Sequence, residues 1–274
     1  MRLFVRSLAA ATRFAATWAD WGFSAAYHQA IIARFAGDHS FKTKPSGVRF
    51  HYRGIADYGV LHFFTVDQGY FETHSNRRIE TIVDAGGNIG CFSTLARAHY
   101  PDARIFGFEI DRSNFDIFAK NLKELGNAVA LRKALWKSTG PVAFIQGETT
   151  QAHSVATPDG DPDANLVDAL SLADLMQQEG LERIDILKMD IEGAEGEVMG
   201  NMSQDVLSRV NAIIFECNDS EQAGASIRVV SRLLDSDFDG FAFGENLYFV
   251  RRSTGWQFRR RQPGLMPIWR QPQS

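Results

Sequence analysis

The sequence predicts an α/β domain built on a mostly parallel sheet with helices on both faces, and three observations predict it. Short apolar, β-prone runs alternate with helical patterns from about residue 48 to residue 250. The first run after residue 78 breaks into a glycine-rich turn, Asp84-Ala85-Gly86-Gly87-Asn88-Ile89-Gly90. Acidic residues stand where the apolar runs stop, at Asp84, Glu109, Asp190 and Glu216. Strands alternating with helices imply parallel crossover units. In such sheets the ligand lies beyond the carboxyl ends of the strands, where the strand order switches.

The elements follow in order. Residues 1–45 read as an N-terminal helical extension that stops near Gly37, with Pro45-Ser46-Gly47 as a break. Residues 46–250 form the main domain, and residues 251–274 form a basic, irregular tail. Within the domain, Val48 to Tyr52 alternates like a strand, and Leu61 to Val66 is apolar and β-prone. Ile79 to Val83 is a strand leading into Asp84, Ile89 to His99 a helix, and Arg104 to Phe108 a second strand. Ser113 is the expected N-cap of a helix through Leu125. Val129 to Leu135 is a third strand, and Val142 to Gln146 a further one. Leu172 to Gln178 is helical, Ile184 to Met189 a fourth strand and Ala212 to Phe215 a fifth. A helix over Ala225 to Leu234 precedes a closing pair, Phe241 to Phe243 and Leu247 to Val250.

Composition narrows the function. The chain has 274 residues, 45% hydrophobic and 23% charged, with a net charge of −4. That is an ordinary globular composition, and its lack of basic excess argues against nucleic acid as a partner. Cys91 and Cys217 fit neither a disulfide framework nor a zinc site, so both are expected as buried thiols in a reducing, cytoplasmic setting. No run reaches the ~18 apolar residues of a spanning helix. The first 36 residues carry Arg2, Arg6, Arg13 and Arg34 against Asp20. Such a segment suits a helix packed on the domain, and also a transit peptide or a membrane-surface helix. The tail carries Arg251, Arg252, Arg259, Arg260, Arg261 and Arg270 and no acid, so both termini offer peripheral contact to a membrane.

The glycine turn carries the chemistry. Glycines let the chain turn sharply and let another group approach the backbone, and the helix that follows presents free N–H groups. The nicotinamide fingerprint needs glycines at its first, third and sixth positions; here those positions hold Gly86, Asn88 and Cys91. Asp84 would also repel a pyrophosphate. A ligand with an ammonium, a sulfonium and a carboxylate at one end fits better, and S-adenosylmethionine is such a ligand. Asp84 would attract its positive charges while the turn holds its amino-acid portion. Glu109, closing the second strand, would accept both hydrogen bonds of a ribose diol.

Val83 to Gly90, then Gly107-Phe108-Glu109, then Ile186-Leu187-Lys188-Met189-Asp190-Ile191-Glu192-Gly193-Ala194-Glu195 together resemble the FkbM family of methyltransferases. The likeness covers roughly residues 79 to 217, and the acidic run after the fourth strand is its most specific part. It implies a Rossmann-like class I methyltransferase with a seven-stranded sheet. The activity implied is S-adenosylmethionine-dependent methylation of a hydroxyl on a small molecule or glycan. It also implies that Asp84, Gly86, Asn88, Gly90 and Glu109 contact the cofactor. Leu135 and Trp136 fall where the family contacts the adenine, although the indole would equally pack at the sheet edge. Asn121 is expected to brace the second helix. Where the family commonly has Glu-Pro, this chain has Glu109-Ile110-Asp111, which alters the turn.

At the fourth strand end, Asp190 is the leading catalytic or positioning candidate, and it would alternatively hold the cofactor ammonium. Glu192 would serve catalysis or satisfy the turn before Gly193. Glu195 suits a helix first turn, and Lys188 suits an ion pair with a neighbouring acid. His153 is a candidate base in a polar stretch, and Glu216 would face the acceptor. Asp190, Glu192 and Glu216 could form an oxygen-rich metal site, but no spacing requires one and no metal is assigned. Two other readings compete: a non-catalytic, membrane- or partner-binding protein on this fold, and a dinucleotide-dependent oxidoreductase.

Overall fold

The computed structural model describes residues 26–28, 31–32, 35–44, 46–61, 73–74, 78–145, 154–156, 166–216, 225–243, 246–258 and 266–269. Its strands are β1 (Ala36–Lys42), β2 (Arg49–Gly54), β3 (Thr73–His74), β4 (Thr81–Ala85), β5 (Arg104–Phe108), β6 (Ala128–Leu131), β7 (Ala134–Trp136) and β8 (Gly140–Ile145). They continue as β9 (Ser154–Ala156), β10 (Leu166–Ser171), β11 (Ile184–Met189), β12 (Val210–Glu216), β13 (Phe238–Phe243), β14 (Asn246–Arg251), β15 (Gln257–Phe258) and β16 (Met266–Trp269). The helices of the domain are α1 (Cys91–His99), α2 (Arg112–Leu125), α3 (Leu172–Gln178), α4 (Glu195–Asn201), α5 (Gln204–Ser208) and α6 (Ala225–Asp235).

The main sheet runs β6-β5-β4-β11-β12-β14-β13-β16. From β6 to β12 every pairing is parallel, and the β13–β14 hairpin closes against β12 antiparallel. The chain first steps outward from β4 through β5 to β6, then returns to the other side of β4 as β11. The order therefore reverses at β4, which places a crevice at the carboxyl ends of β4 and β11.

Alternation along the strands sends side chains to two cores. Val83, Phe106, Leu187 and Ile213 meet α3, α4, α5 and α6 on one face. Ile82, Ile105, Ile186 and Ile214 meet α1, α2 and the β1–β2 hairpin on the other. Asp84 and Lys188 are register partners on β4 and β11, and both reach toward α1, whose Ser93 and Phe92 they touch. Helix α2 is seated by Phe118, which is fully buried. A β-carbon at Gly107 would lie 2.2 Å from the Phe118 ring, and one at Gly87 would lie 2.5 Å from it. Both glycines are therefore required by the ring itself, whose burial is worth roughly 1.5–3 kcal/mol.

Several expectations change. The expected seven-stranded, mostly parallel sheet is present, and β16 adds an eighth strand at the outer edge of β13. The tail read as irregular thus supplies both β16 and β15, the latter paired with β3. Its first two arginines are internal braces: Arg251 donates to the Val210 carbonyl at 3.0 Å and Arg252 to the Phe238 carbonyl at 2.7 Å. Arg259, Arg260, Arg261 and Arg270 lie outside the described residues. The run read as one third strand splits into β6, on the main sheet, and β7, on a second sheet ordered β7-β10-β8-β9. The break falls at Arg132-Lys133, where two adjacent cations interrupt the apolar pattern.

Asp111, not Ser113, caps α2; its carboxylate accepts from the Asn114 N–H at 2.8 Å and from the Ser113 hydroxyl at 2.8 Å. Within the segment read as a helical extension, residues 26–28 are helical, but Ala36–Lys42 is a strand paired with β2. Burial of Phe41 against Phe50 and Tyr52 favours that strand. Leu61 sits in a turn, and residues 62–66 lie outside the described residues. Cys91 is buried with its thiol on the Val60 carbonyl at 3.6 Å; Cys217 lies outside the described residues.

Gly107→Ala should destabilise the fold by about 1–3 kcal/mol, because the added methyl enters space held by Phe118. Urea denaturation would show this as a lowered midpoint, partly recovered in Gly107→Ala with Phe118→Leu. An unchanged midpoint would contradict the packing argument.

Candidate active site

The crevice is assembled from the β4 turn, the end of β5 and the end of β11. Gly86 and Gly90 have φ of 72° and 92°, a region open to glycine, and Asn88 adopts the same sense at 50°. The turn is pressed against β11: a β-carbon on Gly86 would lie 1.7 Å from the Asp190 carbonyl oxygen. The Asp190 N–H donates to the Ala85 carbonyl at 3.1 Å. The close approaches that demand glycine on the inner side are thus made by the protein itself, at Phe118 and Asp190.

Glu109 ties the turn to β5. One carboxylate oxygen accepts from the Asn88 N–H at 2.8 Å and the other from the Asp111 N–H at 2.8 Å. The side chain is only 8% exposed. Burial pushes its carboxyl up to about 7, against the pull of those two N–H donors. Each oxygen retains a further lone-pair direction for another donor. Asn121 links the same turn to the hairpin. Its amide donates to the Ile89 and His51 carbonyls at 2.6 and 2.9 Å, and its oxygen accepts from the His51 N–H at 2.6 Å. The expected bracing role of Asn121 is what the hydrogen bonds describe.

Asp84 is fully buried. One oxygen accepts from the Ser93 hydroxyl at 2.6 Å, and the other makes no hydrogen bond but lies 3.4 Å from the Lys188 ammonium. Lys188 also donates to the Gly86 and Ala85 carbonyls at 2.8 and 3.3 Å, and lies 3.5 Å from an Asp190 oxygen. Burial works against its charge, but Asp190 and Asp84 outweigh that and make the ammonium hold its proton more firmly than usual. The expected ion pair of Lys188 is therefore present, with two partners.

Past β11 the chain makes a tight turn. Glu192 has φ of 54°, a sparsely populated conformation for a residue with a side chain. Its carboxyl is pushed up to about 7 by burial, then by Asp190 and Glu195. Glu195 is buried and accepts from the Ile191 N–H at 2.7 Å. Satisfying that turn is thus the work of Glu195. Leu135 and Trp136 are buried in the core, and the indole carries the Lys137 ammonium 5.4 Å from its centroid. His153 lies outside the described residues, and β12 brings Glu216 to its end without a described side chain. Among the described residues, no three acidic, histidine or cysteine side chains converge as a metal site.

The sequence reading missed Phe118, Ser93 and the capping role of Asp111. Gly107 was the available signal for Phe118, since a glycine inside a strand marks a close approach.

Comparison with known proteins places this arrangement. The methyltransferase FkbM domain matches residues 84–249. The chain belongs to the FkbM methyltransferase family. Relatives include Methyltransferase sdnD of Sordaria araneosa, 29% identical over 191 residues, which are 58% of this chain and 73% of that protein. Methyltransferase 1 of Beauveria bassiana is 29% identical over 186 residues, 59% of this chain and 72% of that protein. Hexuronic acid methyltransferase AglP of Haloferax volcanii is 27% identical over 158 residues, 57% of this chain and 61% of that protein. The matched FkbM region holds every crevice residue described above.

Glu109 gives the fold a pH signature. The unfolded chain titrates this group near 4.5 and the folded protein at about 7. Between those values the native state holds a proton that the unfolded state releases. Stability therefore falls as pH rises through that window and levels off above it. Glu192 contributes with the same sign. Urea midpoints at about pH 5 and about pH 8 should converge in Glu109→Gln relative to the unaltered protein; equal slopes in both would refute the assignment.

Proposed function

We propose that this chain is an S-adenosylmethionine-dependent O-methyltransferase whose acceptor is a hydroxyl of a small molecule or glycan. The observation that carries the reading is the seating of the Glu109 carboxylate on the Asn88 N–H of the glycine turn at 2.8 Å. One group thereby joins the two places that would grip the sugar and the amino-acid ends of one ligand. The donor set fits such a ligand. Glu109 keeps lone pairs for a ribose diol, while Asp190 supplies negative charge for an ammonium and a sulfonium. A carbohydrate acceptor is supported by the relative described as a hexuronic acid methyltransferase.

When bound, the cofactor supplies an electrophilic methyl group. The chain's own residues then do three things. The turn from Asp84 to Gly90 and Glu109 orient the donor; such positioning can supply a large part of a displacement rate. Glu192 takes the acceptor proton, since a base is most effective when its pKa lies near the working pH and its carboxyl stands at about 7. Asp190, beside the Lys188 ammonium, holds the donor rather than the proton. Of the two catalytic candidates at this strand end, the base is thus Glu192, and Asp190 takes its alternative role toward the ammonium; His153, Leu135 and Trp136 are not involved.

Calorimetry with S-adenosylhomocysteine tests the reading. Binding in the micromolar range is expected, and a folded protein that gives no heat of binding would end it. Glu109→Ala or Asp190→Ala should weaken binding by roughly 10- to 100-fold, the worth of one hydrogen bond to a charged group. With an acceptor found by screening hydroxylated glycans and small molecules, Glu192→Gln should lower turnover by about 10²–10⁴-fold while leaving S-adenosylhomocysteine affinity nearly unchanged. Retained turnover would remove Glu192 from the mechanism.

A further inference from the structure

Lys188 is buried on a strand whose other side chains are apolar or structural, and its surroundings go beyond a simple ion pair. An ammonium has three protons to donate. Two are directed at main-chain carbonyls of the glycine turn, Gly86 at 2.8 Å and Ala85 at 3.3 Å. The third lies between two carboxylates, Asp84 at 3.4 Å and Asp190 at 3.5 Å. The two acids differ in their access to a ligand. Asp84 is fully enclosed and already holds the Ser93 hydroxyl, whereas the Asp190 side chain is 30% exposed at the crevice. Phe92 closes the far side, with its ring centroid 5.9 Å from the ammonium.

This arrangement makes Lys188 a rigid link. It is anchored to the turn by carbonyls that do not move independently of β4, and it reaches one acid that the crevice can use. We infer that Lys188 is a positioning residue, which aims the Asp190 carboxylate at the mouth of the glycine turn so that it receives the ammonium of the bound methyl donor. The inference rests on the proposed cofactor and deepens it. Asp84 neutralises the excess buried charge, and Asp190 makes the contact with the ligand.

The competing account is that Lys188 is only the counter-ion of Asp84. Lys188→Met alone does not separate the two, since it leaves a buried unpaired carboxylate and is expected to destabilise the fold. The pair Asp84→Asn with Lys188→Met removes both charges and keeps the Ser93 bond available, so a folded protein is expected, as judged by its melting temperature. The readout is ligand selectivity. S-adenosylhomocysteine carries the ammonium; 5′-methylthioadenosine has the same nucleoside and sulfur but no amino-acid portion. The double variant should bind S-adenosylhomocysteine about tenfold or more weakly than Asp84→Asn alone, while 5′-methylthioadenosine affinity stays within about twofold. In a background carrying both Asp84→Asn and Asp190→Asn, the same Lys188→Met change should have no further selective effect.

Recovery of full S-adenosylhomocysteine affinity in the double variant would overturn the inference, as would equal weakening of both ligands. Those outcomes leave the proposed function standing. Absence of S-adenosylhomocysteine binding to the unaltered protein would instead remove the proposed function, and the inference with it.

Discussion

Gly86 sits so close to the Asp190 carbonyl that no side chain fits between the first turn and the end of β11. That contact fixes the depth of the crevice. It sets the Asp190 carboxylate against the turn, brings Lys188 within reach of two carbonyls and forces the chain to bend sharply at Glu192. On the other side of the turn, the Phe118 ring fills the space left by Gly87 and Gly107. The turn is therefore clamped between a helix and a strand end, and its outward N–H at Asn88 is directed at Glu109. A site built in this way is largely preformed, which limits the ordering cost of binding.

Charge is the second organising constraint. Asp84, Glu109, Asp190, Glu192 and Glu195 crowd one end of the sheet, with the Lys188 ammonium among them. The fold handles each acid differently. Asp84 is neutralised by an ammonium and a hydroxyl. Glu195 is consumed by the turn it caps. Glu109, Glu192 and Glu195 are all left with raised proton affinity, burial being the main cause in each. Like groups driven to different states by their surroundings are what acid–base chemistry near neutrality requires.

Much of this was legible in the chain itself. The parallel core strands, the turn from Asp84 to Gly90, and the meeting of Glu109 with that turn all follow from apolar runs ending in acids. The bracing by Asn121 was legible through the family resemblance. What was hidden depended on tertiary packing. The cations Arg132 and Lys133 mark the break within Val129 to Leu135, but its assignment to two different sheets comes from β10, which pairs with β7 and not with β6. The tail reads as basic and irregular because its strands are short and β16 carries Pro267, and β16 exists only by leaning on β13. Glu192 and Glu195 could not be told apart by residue type, since the backbone conformation of one residue decides which acid faces the turn.

The position of β16 also changes how the C-terminal segment should be understood. Without it, β13 would present an open row of main-chain donors and acceptors, the kind of border along which sheets from separate molecules join. With it, the border is a four-residue strand that contains Pro267, a residue with no N–H to offer a newcomer. A stretch that looks like an appendage thus acts as a seam that covers the β13 border of the sheet.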